Sequence, residues 1–162
     1  MIYFTTFIFT LLLAHAARAV PTCGNVTSPE DIYDSMYDDE QLVFRTTAML
    51  DTKYDSDKTA TFGTKCKILA TEFPTFKDIP GFPAIGGAYN IQSPWNCGKC
   101  WKLTSFNPKR DIWIAAIDAS PSGSDFGLST HAFNYLTGGA VPPPVKLDIE
   151  ARPYASSYCR RK

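Results

Sequence analysis

The chain has 162 residues, and 16 lysines and arginines balance 16 aspartates and glutamates, so its formal net charge is zero. That balance supplies no basic field for nucleic acid or an anionic membrane surface, and both are set aside as partners. The length suits one domain.

The N-terminus reads as an export signal. Phe4 to Leu13 is apolar or threonine throughout and carries no charge. Ala17 and Ala19 put small residues where a signal peptidase reads them, which predicts cleavage after Ala19. The run is too short for an anchor, since a bilayer takes about 20 apolar residues, and no later stretch is apolar enough to span one. Residues 1–19 are therefore expected to be removed and the rest to work outside the cell.

Residues 20–41 follow as an acidic extension with Glu30, Asp31, Asp34, Asp38, Asp39 and Glu40. Its polarity predicts a flexible segment with little core of its own. Asn25-Val26-Thr27 is a glycosylation sequon, which makes Asn25 a candidate glycan acceptor.

Residues 42–162 carry the fold, and their pattern is β. Val43 to Leu50 is β-branched and apolar enough for a strand, and Trp101 to Phe106 alternates large apolar with polar residues. Asp111 to Asp118 is a nearly continuous apolar run, which predicts a strand buried on both faces. Val145 to Ala151 alternates strictly, with Val145, Leu147 and Ile149 on one face. A short helix is expected near Thr71 to Phe76, ended by Pro80-Gly81. Another is expected from Ser129 to Leu136, capped by Ser129 or Thr130 and ended by Gly138-Gly139. Trp101 and Trp113 read as core and Trp95 as a stacking surface. Short strands, long loops and cysteines together predict a small β-barrel with short helices.

The five cysteines are Cys23, Cys66, Cys97, Cys100 and Cys159. Outside the cell most should pair. Cys97-Gly98-Lys99-Cys100 also has the form of a redox motif or half a zinc site. Zinc needs a second ligand pair, and none has the spacing. A thioredoxin-type motif needs a helix after it, whereas Trp101 to Thr104 looks extended. Structural disulfides are the preferred reading, with one thiol left over. No metal and no cofactor are implied.

Several stretches resemble the cerato-platanin family of small secreted fungal proteins. They are Phe73 to Gly87 (FPTFKDIPGFPAIGG), Ser93 to Thr104 (SPWNCGKCWKLT), Ile112 to Asp118 (IWIAAID), Thr130 to Leu136 (THAFNYL) and Leu50 to Tyr54 (LDTKY). The likeness runs from about Leu42 to Cys159. It implies a six-stranded double-psi β-barrel, as in the first domain of expansins. It also implies the pairings Cys66–Cys97 and Cys100–Cys159, with Cys23 outside the pattern.

The resemblance further implies a non-catalytic wall protein or effector. Its expected partners are chitin or N-acetylglucosamine oligomers, cellulose as a second polysaccharide, a host plant receptor, and further copies of itself. A sugar site needs carboxylates for hydroxyls and aromatic faces for ring C–H surfaces. Asp118 ends the buried run, and Asp51 and Tyr54 match groove positions of the family. Asp125, in the loop from Ser120 to Gly127, and Ser129 complete the candidate carbohydrate set. The bland alternative for Asp118 is a turn cap over Ser120 to Gly123. His131 is given no catalytic role. The loop after Cys66 departs from the family pattern, reading Lys67-Ile68-Leu69-Ala70.

Two other functions compete. A hydrolase would use Asp118 with a second carboxylate, acid and base about 6.5–9.5 Å apart for inversion. A surface-active coat protein would self-associate through exposed Phe73, Phe76 and Phe82.

Overall fold

Alternating burial builds the sheet. In the computed structural model, which describes residues 43–89, 91, 96–121 and 124–160, six strands close into a barrel. They are β1 (Phe44–Leu50), β2 (Ile85–Ala88), β3 (Cys100–Phe106), β4 (Lys109–Ala119), β5 (Phe126–Leu128) and β6 (Leu147–Tyr154). The order around the barrel is β1-β5-β2-β4-β3-β6. β1 and β5 pair in parallel, as do β2 and β4, and the other neighbours are antiparallel. Helix α1 (Thr130–Thr137) and the single turn α2 (Ser157–Arg160) pack on the outside.

Two cores share the strands. Trp101, Leu103, Ile114, Ala116, Phe126 and Leu128 belong to the cluster that also takes up Phe133 and Leu136 of α1. Ala115 and Ile117 point the other way, as strand alternation requires, and pack with Tyr54, Phe76, Ile79 and Ile85. The loops between β1 and β2 supply that second cover. Burial on both faces therefore holds only for Ile114 to Ile117, and Lys109 to Asp111 lie exposed. Trp113 is half-buried, not core: its side of β4 has passed the covering loops, and it stacks on Tyr158 at 5.4 Å and meets Tyr154 edge-on at 4.7 Å.

α1 forms as the sequence predicts. Ser129 caps it, and Gly138 ends it in the left-handed region at φ 70°, donating its N–H to the carbonyls of Asn134 and Tyr135. The helix expected near Thr71 to Phe76 does not form. Short 3₁₀ turns at Lys67–Thr71 and Phe76–Asp78 flank an extended stretch instead. Pro74 disfavours helical geometry in Phe73 before it. The stretch pairs across the chain, Thr61 N–H to the Pro74 carbonyl at 3.0 Å and Phe76 N–H to the Thr59 carbonyl at 3.0 Å. The last strand starts two residues later than its alternation suggested, because the ladder with β1 ends at Ala48↔Leu147. Val145 is 83% exposed. The strand also runs through Pro153, where the described ladder to β1 has already stopped at Phe44↔Ala151, so the missing N–H costs no bond on that side.

Both expected disulfides form, Cys66–Cys97 and Cys100–Cys159, with Cα separations of 5.3 and 5.5 Å. The CGKC motif is thus two half-bridges facing different cores. Lys99 between them is only 7% exposed, and burial pulls its ammonium down to about 8. Phe73, Phe76 and Phe82 are not surface residues: Phe76 is buried, and Phe73 and Phe82 pack half-buried against the outer core. Among the described residues no helix is long and apolar enough to cross a membrane. The signal, Cys23, Asn25, the acidic extension and Trp95 lie outside the described residues.

Candidate functional site

Two strand ends bring Asp51 and Asp118 together. Asp51 follows β1, held by its N–H on the Leu128 carbonyl of β5 at 2.8 Å. Its side chain then caps the 3₁₀ turn Thr52–Tyr54 by accepting the Lys53 N–H at 3.2 Å. Asp118 sits near the end of β4, opposite Gly87, just past a shift in register between Gly86 and Gly87. Such a bulge re-aims the side chains beyond it.

The Asp118 carboxylate is fixed by backbone donors. Its Oδ1 accepts the Ala119 N–H at 2.8 Å and the Lys65 N–H at 2.9 Å, so it ties the loop before Cys66 to β4. Lys53 closes the cluster: its Nζ lies 3.2 Å from Asp51 Oδ2 and 3.3 Å from Asp118 Oδ2. The side chains of Asp51 and Asp118 are 18% and 15% exposed, that of Lys53 44%.

Tyr54 lies beneath. It is fully buried, its ring 6.1 Å from that of Phe76 and 4.8 Å from Lys53 Nζ. Its hydroxyl has no hydrogen-bond partner among the described residues. Burial, then the charges of Asp118 and Asp51, push its ionisation far above the usual phenol range, so the group stays a neutral hydroxyl. Glycine makes the room: a Cβ on Gly87 would stand 2.6 Å from the Tyr54 hydroxyl and 2.6 Å from the Ala119 carbonyl.

The other two expected site residues lie apart. Asp125 precedes β5, whereas Asp51 lies past its far end; one β-strand residue advances about 3.3 Å, so the strand's length separates them. The Thr46 hydroxyl donates to the Asp125 carboxylate, and the Asp125 carbonyl accepts the Tyr89 N–H at 2.8 Å. Ser129 is fully buried. It donates to the Pro83 carbonyl at 2.6 Å and accepts the Ala132 N–H at 3.3 Å, so it presents no hydroxyl to a ligand. Ser129→Ala should accordingly cost about 1–2 kcal/mol of stability in denaturant titration, while leaving the exposed surface unchanged.

Sequence reasoning missed Lys53 and Asp55. Asp55 accepts the N–H and hydroxyl of Thr130 at 2.7 and 2.5 Å, adding a carboxylate at the N-terminus of α1. The Asp-x-Lys spacing was a readable signal for Lys53; only the fold shows that the same ammonium reaches Asp118. A separate open concavity of about 480 Å³ lies along β1 and β6, lined by Arg45, Thr46, Thr47, Phe106, Asp148 and Ile149. We place the candidate site at Asp51 and Asp118 because fixed polar groups converge there.

A family model described as Cerato-platanin matches residues 32–161. An allergen of Aspergillus fumigatus is 42% identical over 96 residues, covering 55% of this chain and 60% of that protein. The heat-stable 19 kDa antigen of Coccidioides immitis is 33% identical over 129 residues, covering 75% of this chain and 85% of that protein. Among solved structures, cerato-platanin 2 from M. perniciosa superposes with a TM-score of 0.65 at 27% identity, covering 72% of this chain and 98% of the other. A mutant expansin of Clavibacter michiganensis, solved in complex with cellohexaose, has a TM-score of 0.50 at 14% identity, covering 69% of this chain and 50% of the other. That last likeness concerns the fold alone, and it identifies the barrel as double-psi.

Proposed function

Because the chain belongs to the cerato-platanin family, we propose that it is a secreted, non-catalytic wall protein or effector that binds chitin-like oligosaccharides. Expansin-like loosening of cellulose and elicitation of plant defence are further parts of that reading. The observation that carries it is the convergence of Asp51, Lys53 and Asp118 over the buried Tyr54 ring. Fixed carboxylates accept sugar hydroxyls, and charged acceptors make the stronger hydrogen bonds. The expansin with the similar fold was solved with a glucan oligomer, which supports a carbohydrate ligand.

The non-catalytic reading is supported by the shared lysine. Asp51 and Asp118 both contact one ammonium, which stands where an inverting pair would hold its water. Release of reducing ends from chitin or cellulose, abolished by Asp118→Asn, would overturn it.

The test is an NMR titration of the mature protein with chitin oligomers. Chemical shifts should move at Asp51, Lys53, Tyr54 and Asp118, and Asp118→Asn should weaken binding about tenfold, the loss of one charge-assisted contact. An unmoved spectrum at millimolar oligomer would sink the proposal.

A further inference from the structure

We infer that the concavity on the outer face of β1, β6 and β3 is a second sugar site, separate from the Asp51–Asp118 cluster, and that it takes a neutral oligosaccharide. The inference goes beyond the reading of that cluster, and the two can fail independently.

The concavity has a volume of about 480 Å³, within the range of small-molecule sites. β6 runs between β1 and β3 in the closed barrel. Ala48, Ser105, Ile149 and Ala151 are buried, so strand alternation turns the residues between them outward. Thr47 of β1 then stands opposite Asp148 of β6, and Arg45 opposite Glu150. Ser105 of β3 faces Ile149, which brings Phe106 alongside Asp148.

Arg45 reaches across β6. Its guanidinium lies 5.6 Å from the centre of the Phe106 ring, and its Nε lies 3.9 Å from the Glu150 carboxylate. Phe106 is still 47% exposed. The exposed Asp148 carboxylate has no hydrogen bond or ion pair among the described residues.

These are the groups a sugar ring needs. The face of Phe106 carries partial negative charge and attracts ring C–H groups. The Asp148 carboxylate accepts from hydroxyls, the Arg45 guanidinium donates to them, and a hydroxyl can do both. Charge decides the class of ligand. A ligand carboxylate drawn to Arg45 would meet Asp148, and a ligand ammonium drawn to Asp148 would meet Arg45. A neutral, hydroxyl-rich ligand satisfies both signs. A protein partner fits poorly, because charged residues are depleted at the centre of protein interfaces, and here they surround the one ring. Thr47 stands four residues before Asp51 along β1, so about 13 Å separates this site from the cluster, and each can hold its own stretch of sugar chain.

The experiment is an NMR titration of the mature protein with the N-acetylglucosamine tetramer, with cellotetraose as a second neutral chain and tetragalacturonate as an anionic one. A neutral tetramer should move the signals of Thr47, Phe106 and Asp148, with an affinity of their own, distinct from that read at Asp51 and Asp118. Tetragalacturonate should bind there about tenfold more weakly. Phe106→Ala and Asp148→Asn should each weaken the neutral tetramer at these signals about tenfold. Asp148→Asn keeps the shape of an exposed side chain that has no partner, so it reads the site even where Phe106→Ala disturbs the fold. Stillness of these signals toward both neutral tetramers, equal or tighter binding of tetragalacturonate, or an unchanged affinity in Asp148→Asn would overturn the inference and leave the Asp51–Asp118 reading standing. Movement here with Asp51 and Asp118 still would uphold it and remove that earlier reading instead.

Discussion

Reduction should unfold this protein. The two bridges close spans of 31 and 59 residues, and in the chain-entropy account each then contributes about 4 kcal/mol. A small domain has a net stability of roughly 5–15 kcal/mol, so losing both removes most or all of it. The contacts argue the same way. Cys66 anchors the loop whose backbone holds Asp118, and Cys66–Cys97 is that loop's covalent tie to the barrel. Cys100–Cys159 ties α2 to β3, beneath the half-buried rings of Tyr154 and Tyr158. Replacing Cys100 and Cys159 together by serine should lower the melting temperature by about 15 °C or more. The oxidised protein should lose its cooperative melt in reductant, and a melt unmoved by reductant would refute the account.

Gly86→Ala should be comparably damaging for a different reason. A Cβ there would overlap the Gly127 carbonyl oxygen of the neighbouring strand and touch Leu128 at 3.2 Å. The nearest obstacle is backbone in a closed barrel, which has no edge to yield, so the strands must part. Overpacking of this kind costs about 3 kcal/mol or more. Gly63→Ala is the matched control, because a Cβ there meets nothing within 4 Å. Denaturant midpoints should separate the two variants clearly. Equal midpoints would show that β2 and β5 relax more freely than their spacing allows.

The same glycines explain what was legible in the sequence. β3 and β4 announce themselves because large apolar side chains follow the strand period, and α1 because Ser129 and Gly138 bracket it. β2 is Ile85-Gly86-Gly87-Ala88 and β5 is Phe126-Gly127-Leu128, and neither carries a strand pattern. Glycine has low strand propensity, and a three-residue strand shows no period. Yet these two strands form the floor on which Tyr54 and Asp51 sit. The site was half legible for a related reason. Asp51, Tyr54 and Asp118 came from resemblance to a family, whereas Lys53 joins Asp51 to Asp118 across the barrel, a contact that local sequence does not encode. Ser129 and Asp125 lie apart from that pair, which the sequence does not show, because a polar residue in a loop near a groove looks the same whether it faces a ligand or satisfies the backbone.

The placement of the bridges has one more effect. Each joins the two ends of a long stretch, Cys66 to Cys97 and Cys100 to Cys159, and between them these stretches include most of the loops that cross the surface. A single cut by a protease anywhere inside either stretch severs the backbone yet releases no fragment. A molecule nicked in the loops after Cys66 or in the proline run before β6 remains one covalent object, with its strands still in place to re-form the barrel. The protein can be wounded there without being dismantled.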